Sequence, residues 1–504
     1  MAKKRDFFEN QAIRRALKDS KDFRSAGFAI GGSAIIAFGI LLIAFQWKEH
    51  TFNPSVLAVA GVYFAELLIT LLVHQLIKQD ITKSGSISKR TRFFAPLLAL
   101  MALTGNIFSG AVGLLLLKKE KNLEYTMGVY VCQVDILLLL CSATSLFKPW
   151  VPNSYFLGIG LIVGLLVIHA AAMILVGKYV RGTQADKSML WLGILLILTA
   201  VSGNLLALVM GMMLIAKVRN KDPEISIAWV DTTKRLFRSE MAIFGIVVAV
   251  FFVSMTIFAQ LTFDYDFATS NNYSAILQGP SLLYPFGTDD YGRCVFTRVI
   301  FGARISILAG IGATAVSLFV GMVFGAIAGY YSNRVDNLIM RVMDVFLAIP
   351  GLLLPIAIVT AFGTSLFCII IALGAGCIPR FARTVRASVL GVANSEFVEA
   401  ARACGARDGS ILRQHILPNC LAPVIVQGTL TMATNVVTVS SLSYLGLGVS
   451  EYIPEWGNIL KSGSVYLEEA PYLAIYPGII VVLLVLAINF LGDGFRDALD
   501  PKLK

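Results

Sequence analysis

Long apolar runs recur twelve times along this 504-residue chain, and no other feature constrains its fold as tightly. A helix crossing a hydrocarbon core needs about 20 mostly apolar residues, and in lipid only helices or closed barrels satisfy their backbone groups. Six candidate spans lie near residues 26–47, 54–77, 93–117, 125–147, 154–177 and 189–216. Six more lie near 241–261, 303–329, 339–362, 367–384, 421–445 and 473–492, the fourth of these crowded at its end by Pro379, Arg380 and Arg383. The expected fold class is an all-α polytopic membrane protein of about 12 transmembrane helices. Composition agrees: 57% of residues are hydrophobic and 14% charged, against roughly 25% charged in soluble domains. A large soluble enzyme, a disordered chain and a disulfide scaffold are excluded. The 7 cysteines fall singly, with no paired spacing, and read as packing residues.

The charged residues carry the orientation. Lys+Arg number 42 against 31 Asp+Glu, a net charge of +11, and the excess gathers in short segments between spans. That pattern is membrane orientation and gives no reason to invoke nucleic acid. Basic clusters occur at Lys3, Lys4, Arg5, Arg14, Arg15, Lys18, Lys21 and Arg24, and at Lys78, Lys83, Lys89, Arg90 and Arg92. A third holds Lys217, Arg219, Lys221, Lys234, Arg235 and Arg238. All three are cytoplasmic if the chain starts inside and crosses each time, which places both termini in the cytoplasm. Lys118, Lys119 and Lys121 break the pattern, falling outside on this count, as one misassigned span in the first half would explain. Residues 1–24 are charged throughout, without a small-residue cleavage site, so no cleavable signal peptide is expected. The domain reading is a membrane extension at 1–220, a cytoplasmic linker at 221–240 and a second membrane domain at 241–504. In the linker, Ile227, Trp229, Val230, Leu236 and Phe237 among basic residues fit an amphipathic surface helix.

The longest polar interruption of the second half, about 385–420, contains EFVEAARACGARDGSILRQHILPN. It reads as a short helix centred on Glu399, Ala400 and Ala401, a sharp turn at Gly405, and a second short helix that ends before Pro418. Small residues at 400, 401 and 403 leave a low surface that a groove on another protein could grip.

This segment resembles the cytoplasmic EAA loop of ABC importer permeases, with His415, Leu417 and Pro418 in the HILPN form found in peptide-importer permeases. YPFGTDDYGRCVFTRVIFGARISI (284–307) is similar to that subgroup's extracellular segment, matching at Gly287, Thr288, Asp289, Gly292 and Arg293. Tyr284 and Cys294 depart from it, standing where the subgroup usually has His and Asp. SYLGLGV (443–449), PEWG (454–457) and NFLGDGFRDALDPKLK (489–504) complete the set in family order. The resemblance covers about residues 235–504 and points to the C-type subunit of a dipeptide or oligopeptide importer. It implies a type I importer core in the cell membrane of a prokaryote, a second homologous permease, two ABC ATPase subunits and an extracellular substrate-binding protein. The Glu399 helix would be the coupling helix. A capped turn in which Asp289 and Arg293 hold the loop to the next helix is preferred over substrate contact for the extracellular motif.

The chain carries no phosphate-binding GxxxxGK loop, so ATP and Mg would be bound by the partner subunits, with no cofactor here. His50, His74, His169 and His415 lack ligand spacing, and no GxSxG or HExxH occurs, so neither a metal site nor an enzyme is expected. Gln427, Thr431, Asn435, Thr438 and Ser440 are candidates to line a translocation path. Two alternatives stay open: an ion-coupled secondary carrier of twelve helices, and a substrate other than peptide, such as a metal chelate.

Residues 1–235 carry no motif that points to a family. At a constant offset, LTGNIFSGAVGLLLLKK and VSGNLLALVMGMMLIAK pair Gly105 with Gly203, Asn106 with Asn204 and Gly113 with Gly211. This predicts a duplicated three-helix unit whose two copies, with three crossings each, are inverted relative to one another. Glu66, His74, Asp135 and His169 are ionisable groups within spans, either functional or hydrogen-bonded between helices.

Overall fold

The computed structural model describes residues 15–17, 19–46, 51–181, 184–219 and 223–500. Lys3, Lys4, Arg5, Arg14, Lys18, His50, Lys221 and the last four residues of the C-terminal motif lie outside them. Two compact units result, Met1–Ala143 with Ile159–Glu240, and Thr144–Gly158 with Met241–Lys504.

The first unit opens with α1 (Lys21–Ala44) and α2 (Pro54–Ser84). The predicted third span is two helices. α3 (Ala95–Leu100) passes through a 3-10 turn at Met101–Thr104, and α4 (Ile107–Leu116) begins after Gly105 and Asn106. Gly105 takes φ +93°, its N–H donates to Ala102 O at 3.1 Å and that of Asn106 to Met101 O at 3.1 Å. These paired bonds stop the first helix in a Schellman turn, and the Asn106 side chain caps the next by accepting from the Ser109 N–H. The chain then doubles back: a Cβ on Gly110 would meet Ala102 Cβ at 2.6 Å, and one on Gly113 would meet Ala99 N at 2.2 Å. Contacts between residues on opposite sides of Gly105, in reversed order, require a hairpin.

α5 (Leu123–Ala143) and α6 (Tyr155–Tyr179) follow, and the predicted sixth span repeats the break. α7 (Met189–Thr199) reaches Gly203, at φ +86°, before α8 (Leu205–Arg219) folds back, with Gly211 against Gly193 O. The duplicated pattern is therefore two spans and a hairpin in each copy. With two crossings per copy the copies share one orientation, which corrects the inverted arrangement expected from three. α9 (Pro223–Leu236), a helix within the stretch read as a linker, lies at the end of this unit.

In the second unit α10 (Glu240–Thr262) and α11 (Val295–Tyr330) are joined by an irregular extracellular-type segment. α12 (Asn333–Ala348) and α13 (Leu353–Phe362) meet at an 86° bend beside Pro350 and Gly351. α14 (Leu366–Val392) runs past Pro379, α15 (Glu396–Ala403) is short, and α16 (Leu421–Tyr444), α17 (Trp456–Val465) and α18 (Tyr472–Leu499) follow. The core gathers Val248, Phe252, Val299, Trp456 and Ile488. Close approach of α11 and α14 uses Gly321, Gly325 and Gly329, whose absent side chains admit Phe381, Ala382 and Val389.

Among the described residues nine helices are long and apolar enough to cross a membrane, or ten spans with the bent pair counted as one. The expectation of about 12 therefore fails at 93–117 and 189–216, because apolar runs of crossing length are there spent on hairpins.

Candidate functional site: an exposed short helix and an extracellular-type cap

α15 starts after Ser395 and ends in the same turn that closes α3. Gly405 takes φ +80°, its N–H donates to Arg402 O at 3.0 Å, and the Ala406 N–H donates to Ala401 O at 3.1 Å. Below the helix, Val398 is fully buried among Phe381, Val385, Val389, Ile411 and Ile416. Above it, Glu399, Ala400 and Gly405 are exposed and Ala401 is half-buried. His415 and Leu417 are half-buried and Pro418 exposed, where a π-helical stretch at Ile411–Ile416 leads into α16. Arg386 pairs with Asp336, and Arg383 Nη2 with Asp344 Oδ1 at 2.6 Å, tying α12 to α14. The result is a small-residue helix held rigidly from one side and open on the other, a geometry suited to docking.

The motif at 284–307 forms a cap ahead of α11. Asp289 Oδ1 accepts from the N–H groups of Tyr291 (3.0 Å) and Arg293 (2.8 Å), and Oδ2 accepts from Arg293 Nε at 2.7 Å. Arg298 Nε stands 3.7 Å from the same oxygen, and its Nη1 donates to Ala268 O at 2.9 Å. Thr288 is fully buried and accepts from the Gln278 N–H at 2.8 Å. Gly287 and Gly292 sit at φ +75° and +74°, and a Cβ on Gly292 would lie 1.8 Å from Asn272 O. Beside them, burial and the Asp289 charge push the Asp290 carboxyl above its ordinary value. The arrangement is a capped turn held chiefly by Arg293, which bonds Asp289 through both backbone and side chain, with Arg298 of α11 beside it and bonded to Ala268 O.

Tyr284 and Cys294, the two departures from the family pattern, share a neighbour. Lys148, from the loop between α5 and α6, places Nζ 2.9 Å from Cys294 Sγ and 4.7 Å from the ring centres of both Tyr284 and Phe267. Trp150 stacks on Phe267 at 4.9 Å and donates to Asp264 Oδ2 at 3.1 Å. These contacts explain why residues 144–158 belong to the second unit.

The five polar residues of α16 do not gather on one open surface. Thr431 and Asn435 are buried; Asn435 Nδ2 donates to Thr314 Oγ1 at 2.9 Å, and its Oδ1 meets Cys377 Sγ at 3.5 Å, linking α11, α14 and α16. Ser440 is buried, Gln427 and Thr438 are half-buried, and Gln427 Nε2 donates to Thr431 Oγ1 at 3.1 Å. Among the described residues no cluster of three or more His, Cys, Asp or Glu is placed to hold a metal ion.

Residues 321–504 match the family of binding-protein-dependent transport system inner membrane components. Residues 228–280 match the N-terminal transmembrane domain of oligopeptide transport permease C. A dipeptide transport system permease protein of Alkalihalophilus pseudofirmus is 43% identical over 276 residues, 55% of this chain and 90% of that protein. Glutathione transport system permease proteins of Pectobacterium atrosepticum and Escherichia coli are 37% and 40% identical over 284 residues, 56% of this chain and 94% of each relative.

Proposed function

The chain belongs to the binding-protein-dependent ABC importer permeases, and from that premise we propose that it imports short peptides as one of two membrane subunits. The relatives are named for dipeptides and glutathione, which favours a peptide-like solute over a metal chelate. A second, homologous permease completes the path, two ABC ATPase subunits bind ATP and Mg, and a binding protein delivers substrate from outside. The observation that carries the reading is α15: a short helix with Glu399 and Ala400 exposed, fixed from beneath by Val398 and closed by Gly405. A rigid exposed helix transmits the movement of a docked ATPase to α14 and α16, between which it is strung.

Orientation follows from the ten spans. With both hairpins returning to their starting side, Lys118, Lys119 and Lys121 join the other basic clusters on the cytoplasmic face. Twelve crossings would put Lys148 inside and Cys294 outside; ten put both outside, in keeping with their 2.9 Å contact. Both termini are then cytoplasmic, in the inner membrane of a prokaryote. The ion-coupled carrier alternative loses its twelve-span basis as well.

The test is uptake of labelled dipeptide by proteoliposomes holding the full assembly. Uptake with ATP and the ATPase subunits, absent with an ion gradient alone, supports the proposal; gradient-driven uptake without those subunits overturns it.

A further inference from the structure

The first unit holds a buried carboxylate with an unusual set of neighbours. Glu66, on α2, is 6% exposed. Its Oε1 accepts from Thr104 Oγ1 at 2.7 Å and its Oε2 from Asn106 Nδ2 at 3.0 Å, both at the tip of the α3–α4 hairpin. Around Asn106 the oxygens continue. Ser33 Oγ of α1 lies 3.1 Å from Asn106 Oδ1 and 2.9 Å from Ser109 Oγ, and Thr70 Oγ1 lies 2.7 Å from Ser109 Oγ. Ser33, Asn106 and Ser109 are fully buried, and Thr70 is 1% exposed.

What the cluster lacks is a positive charge. Elsewhere in this unit buried acids meet bases: Asp135 Oδ2 lies 2.5 Å from His169 Nδ1, and Glu124 pairs with Lys217. Among the described residues no Lys, Arg or His pairs with Glu66. An ionised carboxylate between helices without a counter-charge is costly, and ionisable groups persist inside membranes where they serve a ligand or a relay. The hairpin is also placed for such a purpose. α3 with its 3-10 turn spans 10 residues, as does α4, so each arm is about 15–20 Å long, and the tip reaches near the middle of a core about 30 Å thick.

We propose that Glu66, Asn106, Ser33, Ser109, Thr70 and Thr104 form a binding site for a monovalent alkali cation of the sodium class. Hydroxyl, amide and carboxylate oxygens are the ligands of hard cations. One carboxylate among neutral oxygens balances a single positive charge. The Thr70 hydroxyl donates to the Glu66 main-chain carbonyl at 2.8 Å, which leaves its lone pairs free to face the ion, and on binding the hydroxyl hydrogens of Ser33 and Ser109 turn outward. The Asp135 cluster is not such a site, because His169 already supplies its partner and Asn204 Nδ2 its second hydrogen bond, at 3.2 Å from Oδ1.

The experiment measures radioactive sodium binding to the complete assembly in nanodiscs by scintillation proximity, with competition by sodium, potassium or choline chloride. Saturable binding displaced by unlabelled sodium and not by choline is expected. Glu66→Gln should weaken it about tenfold or more, while Asp135→Asn leaves it unchanged. Thr70→Val, which removes one ligand oxygen at constant shape, should weaken it in a protein whose elution profile is unaltered, so a folding defect in Glu66→Gln does not decide the matter. Absence of saturable sodium binding in the unaltered protein overturns the proposal. Undiminished binding in both Glu66→Gln and Thr70→Val overturns it equally.

Discussion

Replacing Gly405 separates backbone strain from steric conflict. The residue sits at φ +80°, and no atom lies within 4 Å of the Cβ that a side chain would add. The penalty is therefore conformational: an L-residue in the left-handed region costs about 1–2 kcal/mol, which lowers the closed turn by about 5- to 30-fold against its open alternatives. Asn tolerates this region better than Ala, and a β-branched side chain is worst. Peptide transported per ATP hydrolysed should fall in the order Gly, Asn, Ala, Val, while ATPase turnover persists. Because the turn is exposed and α15 meets the core through little more than Val398 and Ala401, thermal unfolding of the assembly should shift little across the series. The assay is parallel uptake and phosphate release in proteoliposomes. If Gly405→Val transports with unaltered stoichiometry, the turn does not hold the coupling surface. If yield and unfolding temperature fall in step with transport, the effect is global and the reasoning fails.

Three further expectations follow from packing and burial. Gly113→Val forces a Cβ to 2.2 Å from Ala99 N and should destabilise the first hairpin by about 1–3 kcal/mol, while Gly31→Ala, with open space around it in α1, should not lower the unfolding temperature. Lys148→Ala should expose Cys294, now 1% accessible, to maleimide added from outside, and Lys148→Met should restore its protection; unaltered labelling in Lys148→Ala would remove Lys148 as its cover. Glu455 is buried, accepts from the Asn458 N–H at 3.1 Å and from Ser306 Oγ at 3.0 Å, and burial raises its pKa. A carboxyl raised in the folded state contributes most below its unfolded value and loses that contribution as pH rises through the folded one. Glu455→Gln should flatten the decline in unfolding temperature from about pH 4.5 toward neutrality, and an unaltered pH profile would refute the assignment.

The second half was legible in sequence because its motifs sit at turns where residue type is dictated by geometry: Gly287, Gly292 and Gly405 all take positive φ. The first half misled because hydropathy measures length and apolarity, and a run of about 20 residues serves a crossing or a half-depth hairpin alike. The distinguishing signals were present in the Gly-Asn pairs at 105–106 and 203–204, at the centre of each run, and in the basic residues at 118–121 that fell on the wrong side. Polar residues on α16 were visible, but their facing was not, since Thr431 and Asn435 are buried and Asn435 bonds Thr314, remote in sequence. Lys148 was invisible for the same reason: its partners lie more than a hundred residues away.

The claim that α15 is the ATPase dock is tested most directly by cross-linking. In a Cys404→Ser background, which removes the exposed native thiol nearby, Ala400→Cys is joined to the assembled complex with a short bifunctional maleimide. A covalent product with an ATPase subunit, whose yield changes when ATP is added, is the predicted result. Efficient labelling of that cysteine by monofunctional maleimide in the intact complex, with no cross-linked product in any nucleotide state, would contradict the account.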